Sequence, residues 1–203
     1  MKKLSAEQIQ QNWNTLIDVI NAHIGDDRRD NLLKMYDDFQ DRMMFAPASA
    51  KGHFHNAMPG GYVEHILQPP KDRTLLSQMI YHGKKIYVKD VILPIKSDAI
   101  KMCYTDEQIN WVKENEIYIW QYFIENQLLY NTSPSLQQRF IEPAPFSKFY
   151  LEIDNESPGR IGVWLGWQII KSYISRHPKT DINEILSLPA QTIFSKSNYK
   201  PRK

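Results

Sequence analysis

Two glycines one helical turn apart, Gly162 and Gly166, constrain this chain more than any other pair of residues. They fall in a run that carries Ile161, Trp164, Leu165, Ile169 and Tyr173 at helical spacing. Each glycine costs a helix about 1 kcal/mol against alanine. A helix that accepts this twice on one face needs another backbone or ring pressed close there. Ser157-Pro158 reads as an N-cap followed by proline at the first helical position, and Pro178 ends the run.

The rest of the chain has the same helical grammar. Leu76, Met79, Ile80, Gly83, Ile86, Tyr87 and Val91 form an apolar stripe ending near Pro94. Thr105 opens the next helix, with Gln108 in the capping-box position. Ile109, Val112, Ile119, Trp120 and Phe123 supply its core face. A short helix fits 135–141, Asp181 caps another through Leu186, and 191–195 forms one more. The basic tail from Ser197 is expected to be frayed or draped. Phe149, Leu151 and Ile153 alternate with Tyr150, Glu152 and Asp154, which suits an extended segment.

Upstream, Ser5 with Gln8, and Leu32 to Met43, suggest two helices, and 47–61 reads as loop. Tyr62 to Leu67 starts a third helix, which Pro69-Pro70 stops. The expected fold is therefore mainly α and helical bundle-like, with at most a short extended segment near 149–154. It divides into a helical N-terminal segment (1–68), a junction (69–74) and a helical domain (75–203).

Totals exclude several classes. A formal net charge of +2 gives no nucleic-acid signature. One cysteine, Cys103, allows no intrachain disulfide and reads as a small buried hydrophobe. There is no apolar stretch of spanning length, and the first residues lack the apolar region of a signal peptide. As written, the chain is expected in the cytoplasm.

Two clusters invite chemistry. His53, His55 and His65, with Glu64, are possible metal ligands. Glu152, Asp154 and Glu156 would share one side of an extended strand and could bind a hard cation. The plainer reading puts Glu152 and Asp154 on a solvent face, with Glu156 just before a helix N-terminus and Arg160 near enough to pair. No His-Glu-x-x-His or Gly-x-Ser-x-Gly occurs. The tryptophans read as core, with Trp167 and Tyr173 as an outer patch for a partner.

Longer motifs carry two resemblances. SAEQIQQNW, DRMMFAPAS and HNAMPGGYVEHIL resemble the start of the His-Asp (HD) metal-dependent phosphohydrolases, particularly a phage-encoded branch. That resemblance covers 4–67 and implies a divalent metal with His65 as its first ligand. The companion His-Asp pair is absent from the sequence. A metal held by one imidazole is weakly bound. No other cofactor is expected.

LLSQMIYHGKKIYVKDVILP, RFIEPAPFSKFYLEIDNESPGRIGVWLGWQIIKSYI and IFSKSNYKP resemble the C-terminal portion of GldB, the gliding-motility lipoprotein family of Bacteroidetes. This resemblance runs from about residue 72 to the end. It implies a non-enzymatic, envelope-attached protein that works through protein partners in motility and the secretion coupled to it. A join near 67–74 would reconcile the two resemblances, whether as a natural fusion, a recombined frame or an engineered hybrid.

Overall fold

The computed structural model describes residues 67, 69–92 and 96–201. The chain divides into two compact units, Met1–Gln68 with Val88–Ile95, and Pro69–Tyr87 with Lys96–Lys203.

The described residues form seven α-helices: α1 (Leu75–Ile92), α2 (Asp98–Met102), α3 (Asp106–Glu125), α4 (Pro134–Phe140), α5 (Ile161–Arg176), α6 (Ile182–Ser187) and α7 (Ala190–Ser197). Apart from the last residues of α1, all of them lie in the second unit. One 3-10 turn, Glu152–Asn155, precedes α5. No strand occurs among the described residues, and the one β-bridge pairs Phe146 with Pro158. The unit is mainly α, as the periodicity predicts.

Helix α5 is the axis of the fold. Ten of its residues are buried, including Trp164 and Trp167, so it is enclosed nearly all round. It packs against α7, α3 and α4. Trp167 and Tyr173 therefore belong to the core and form no outer patch.

The glycines explain how α1 reaches α5. A Cβ on Gly166 would lie 1.9 Å from the Met79 carbonyl oxygen, and one on Gly83 would lie 2.5 Å from the Gly166 carbonyl carbon. Each glycine thus admits the other helix's backbone. A Cβ on Gly162 would lie 2.8 Å from Ile141 Cδ1 and 2.9 Å from the Phe140 carbonyl oxygen.

Helix starts follow local rules in four places, α2 among them, where Ser97 Oγ accepts the Ile100 N–H at 3.3 Å. Thr105 and Gln108 close a reciprocal capping box on α3. The Asp181 carboxylate accepts from the Glu184 N–H at 2.9 Å. Before α1, Asp72 accepts from both the N–H and the hydroxyl of Thr74, at 3.0 and 2.6 Å. The hydrogen bond from Thr74 is the largest cause holding the Asp72 carboxyl below its ordinary value. The Leu75 and Leu76 N–H groups, which a helix start leaves unpaired, reach the carbonyls of Asn131 and Leu129.

Helix α5 breaks the local rule. It begins at Ile161, three residues beyond Pro158, after Arg160 in the left-handed region at φ 64°. Its capping oxygen comes from Ser147 Oγ, which accepts the Ile161 N–H at 3.2 Å. Ser157, the expected cap, instead donates to the carbonyls of Ser147 and Asp154 at 2.8 and 3.1 Å.

Candidate functional site

His53, His55, Glu64 and His65 lie outside the described residues. Among the described residues no group of three or more His, Cys, Asp or Glu side chains is placed to hold a metal ion. The 152–156 carboxylates do not line one side of a strand, because Glu152–Asn155 is a 3-10 turn. Asp154 does not sit on a solvent face. It is half-buried, with Oδ1 accepting the Phe149 N–H at 2.8 Å and Oδ2 the Tyr150 N–H at 2.9 Å. Glu156 is exposed and five residues short of α5. The Arg160 guanidinium contacts the Met102 carbonyl at 3.5 Å, not a carboxylate. Cys103 is half-buried and caps α2 in the left-handed region at φ 59°.

The extended backbone lies earlier than the sequence alternation suggests. Around the bridge at Phe146, Ser147 and Phe149 are buried while Phe146, Lys148 and Tyr150 are exposed. This is the two-residue period of extended chain. The chain then turns at Tyr150, whose φ is 64°. A left-handed residue with a side chain costs about 1–2 kcal/mol. The two bonds from Asp154 hold it there.

Further contacts fix the same loop. Arg139 donates from Nε to the Lys148 carbonyl at 2.6 Å and from Nη2 to the Tyr122 hydroxyl at 3.1 Å. The Tyr122 hydroxyl donates to the Phe149 carbonyl at 2.8 Å. The Arg139 guanidinium lies 4.3 Å from the Tyr150 ring centre and 4.7 Å from that of Phe140. Phe149 anchors the loop beneath, 5.2 Å from Phe140 and 5.1 Å from Tyr122. The result is a pinned loop that presents large apolar side chains to solvent: Phe146 is 44% exposed, Leu151 53% and Tyr150 73%. Alternation over 149–154 puts Leu151 on the core side. Shifting that pattern to 146–150 would have revealed the loop.

Among the ionisable groups drawn inside, Lys84, Glu116 and Tyr104 have partners that serve the fold. Lys84 is buried on α1 and donates to the Leu186 and Leu188 carbonyls at 2.9 and 2.7 Å, where α6 leaves its last acceptors unpaired. Glu116 occupies a core position of α3 and accepts from Trp164 Nε1 at 3.1 Å and the Tyr199 hydroxyl at 2.8 Å. The Tyr104 hydroxyl donates to the Gly159 carbonyl. The tail is thus draped as far as Tyr199, whose ring also meets Trp120 edge-on at 5.0 Å.

These groups give the unit a two-limbed alkaline response. Burial pushes the Lys84 ammonium from 10.5 down to about 8. The unfolded chain therefore holds that proton more tightly, so folding stability rises as pH climbs from 8 towards 10.5, by about 3 kcal/mol for this group alone. Tyr199 is pushed up by burial first, then by the Glu116 charge and hydrogen bond, and Tyr104 by burial, which the Arg160 charge partly offsets. Their stabilising share is complete below their ordinary 10.0 and is lost above it. Denaturation midpoints across this range should rise and then fall. Lys84→Met should flatten the rise, and a variant curve parallel to the wild type would refute the assignment.

No described helix is long and apolar enough to cross a membrane. Fold and site together define a class: a helical scaffold that pins and displays an apolar loop. The particular family is fixed by the sequence match. Residues 19–201 match the family described as gliding motility protein GldB, and the chain belongs to that family. The match starts well before residue 72 and crosses 67–74, so one family accounts for both sides of the expected join. It also takes in 19–67, and lends no support to a His-Asp phosphohydrolase there. No curated protein and no solved structure matches the chain.

Proposed function

We propose that the chain acts in gliding motility without catalysing a reaction, by making protein contacts at the cell envelope. The observation that carries this reading is the loop around Tyr150. Its backbone is held by Asp154, Arg139 and Tyr122, while Phe146, Tyr150 and Leu151 stay exposed. Exposing such side chains on a fixed backbone has no folding benefit, and a cluster of this kind marks an interaction site. A left-handed Tyr150 adds strain that a display role accounts for. The inward-facing Lys84, Glu116 and Tyr104 are each occupied by structural partners.

The test is complementation in a gliding bacterium that carries this gene. Removing residues 72–203 should abolish spreading. Phe146→Ser/Tyr150→Ser/Leu151→Ser should do the same while the protein still accumulates with a wild-type helical spectrum. Normal spreading by a well-folded triple variant would refute the loop as the working surface, and normal spreading by the deletion would refute the role itself.

A further inference from the structure

We propose that the tail beyond α7 is a detachable strap, and that the socket under Tyr199 is a binding site for a tyrosine side chain of a partner segment. The inference is independent of the 146–151 loop. Three helices build the socket. Glu116 of α3 is 8% exposed, and its Oε1 accepts the Tyr199 hydroxyl at 2.8 Å. Its Oε2 holds Trp164 Nε1 of α5 at 3.1 Å. Trp120 meets the Tyr199 ring edge-on at 5.0 Å and lies 6.0 Å from the ring of Phe194 on α7. A carboxylate set among aromatic rings takes a ring that carries a hydroxyl donor. A phenylalanine or aliphatic side chain would leave Oε1 without that donor, and an acidic one would be repelled.

The tail is a strap because the chain is fixed just before it. Ser172 Oγ donates to the Ser197 carbonyl at 2.9 Å, and the Ser197 hydroxyl donates to the Phe194 carbonyl at 2.7 Å. Asn198 follows, exposed and in the left-handed region at φ 49°. Within 198–201, the Tyr199 N–H bonds back to Ser197 Oγ, and the Tyr199 hydroxyl makes the reach to another helix. Rotation at Asn198 therefore withdraws Tyr199 without unwinding α7. Tyr199 is only half-buried, so the socket opens to solvent once the ring leaves. A second copy's tail is a poor replacement. From the pinned Ser197 to Tyr199 the chain spans at most about 7 Å, so two α7 ends would have to touch. A tyrosine on a partner's own segment has no such limit.

The test uses the full chain with Tyr199→Gly, which leaves room for an added ring. Calorimetric titration should show N-acetyl-tyrosine amide binding to this variant at least about tenfold more tightly than N-acetyl-phenylalanine amide, because only the phenol donates to Glu116. The wild-type chain, whose own tail competes, should bind the tyrosine amide at least about tenfold more weakly than the variant does. p-Cresol, the bare tyrosine side chain, should follow the tyrosine amide. Equal affinity for the two amides would overturn the proposal, as would binding of p-cresol alone, since a polypeptide could then not enter. Equal affinity of the variant and the wild type would place the ligand elsewhere and do the same. If Tyr199→Gly and Tyr199→Phe both lose the wild-type helical spectrum, the tail is part of the core and no strap exists. Self-association of the wild-type chain that Tyr199→Gly abolishes would make the tail a contact between copies, which also overturns it.

Discussion

Gly166→Ala is expected to cost the helical unit about 3 kcal/mol or more, although alanine is the better helix former by about 1 kcal/mol. The added methyl would sit 1.9 Å from the Met79 carbonyl oxygen and 2.4 Å from its carbon. Both atoms are backbone within α1, so no side chain can rotate away. Relief requires the two helices to separate, which opens a gap among Met79, Ile80 and Trp167, all buried in the core. Gly83→Ala attacks the same crossing from the other side, at 2.5 Å from Gly166. Once the helices have parted, the second methyl has little left to displace. The double variant should therefore lose less than the sum of the two single ones. Gly162→Ala should be milder, because its methyl would meet the movable end of the Ile141 side chain at 2.8 Å and approach backbone only at the Phe140 oxygen, 2.9 Å away against 1.9 Å at Gly166. Chemical denaturation of the four proteins gives each value. A Gly166→Ala protein as stable as the wild type would mean that the helices do not cross as described.

That crossing is half legible in the sequence. Gly162 and Gly166 stand a turn apart in an apolar helix, and their combined cost predicts a close approach. Gly83 is single, and a lone glycine in a helical stripe carries no such signal. Caps divide the same way. Thr105 with Gln108 and Asp181 are caps made within four residues, and sequence spacing finds them. The cap of α5 comes from Ser147, which folding brings back across 14 residues. Local spacing points to Ser157 because nothing nearby reveals that its hydroxyl is already engaged. The loop is misplaced for a related reason. Asp154 reads as one member of an alternating pattern, but its carboxylate bonds backward to two N–H groups and bends the chain into a 3-10 turn. Lys84 and Glu116 escape a sequence reading because charge ordinarily means surface. Glu116 nevertheless keeps strict core spacing between Val112 and Ile119, and that register is a usable clue.

Glu116 carries the second large prediction. Its carboxylate accepts two donors, and one of them has no alternative. Trp164 is 1% exposed, so its indole N–H cannot turn to water. Glu116→Ala strands that donor, releases the Tyr199 hydroxyl and leaves a void beside the core. An unpaired buried donor together with the cavity gives a loss of about 3–5 kcal/mol. Glu116→Gln behaves differently. Its amide oxygen can keep the Trp164 bond, and its NH2 can donate to Tyr199, whose hydroxyl both gives and receives. The cost should stay within about 1–2 kcal/mol. Glutamine also removes the negative charge that helps hold the Tyr199 phenol above its ordinary range. Tyrosine ionisation monitored by ultraviolet absorbance should then begin at lower pH than in the wild type, though burial still delays it. In a Tyr199→Phe background, Glu116→Gln should produce no such difference, since no phenol remains there to sense the charge. If glutamine proved as damaging as alanine, shape and not hydrogen bonding would be what Glu116 contributes. If alanine cost less than about 1 kcal/mol, the tail would not be latched to α3 and α5 through this carboxylate.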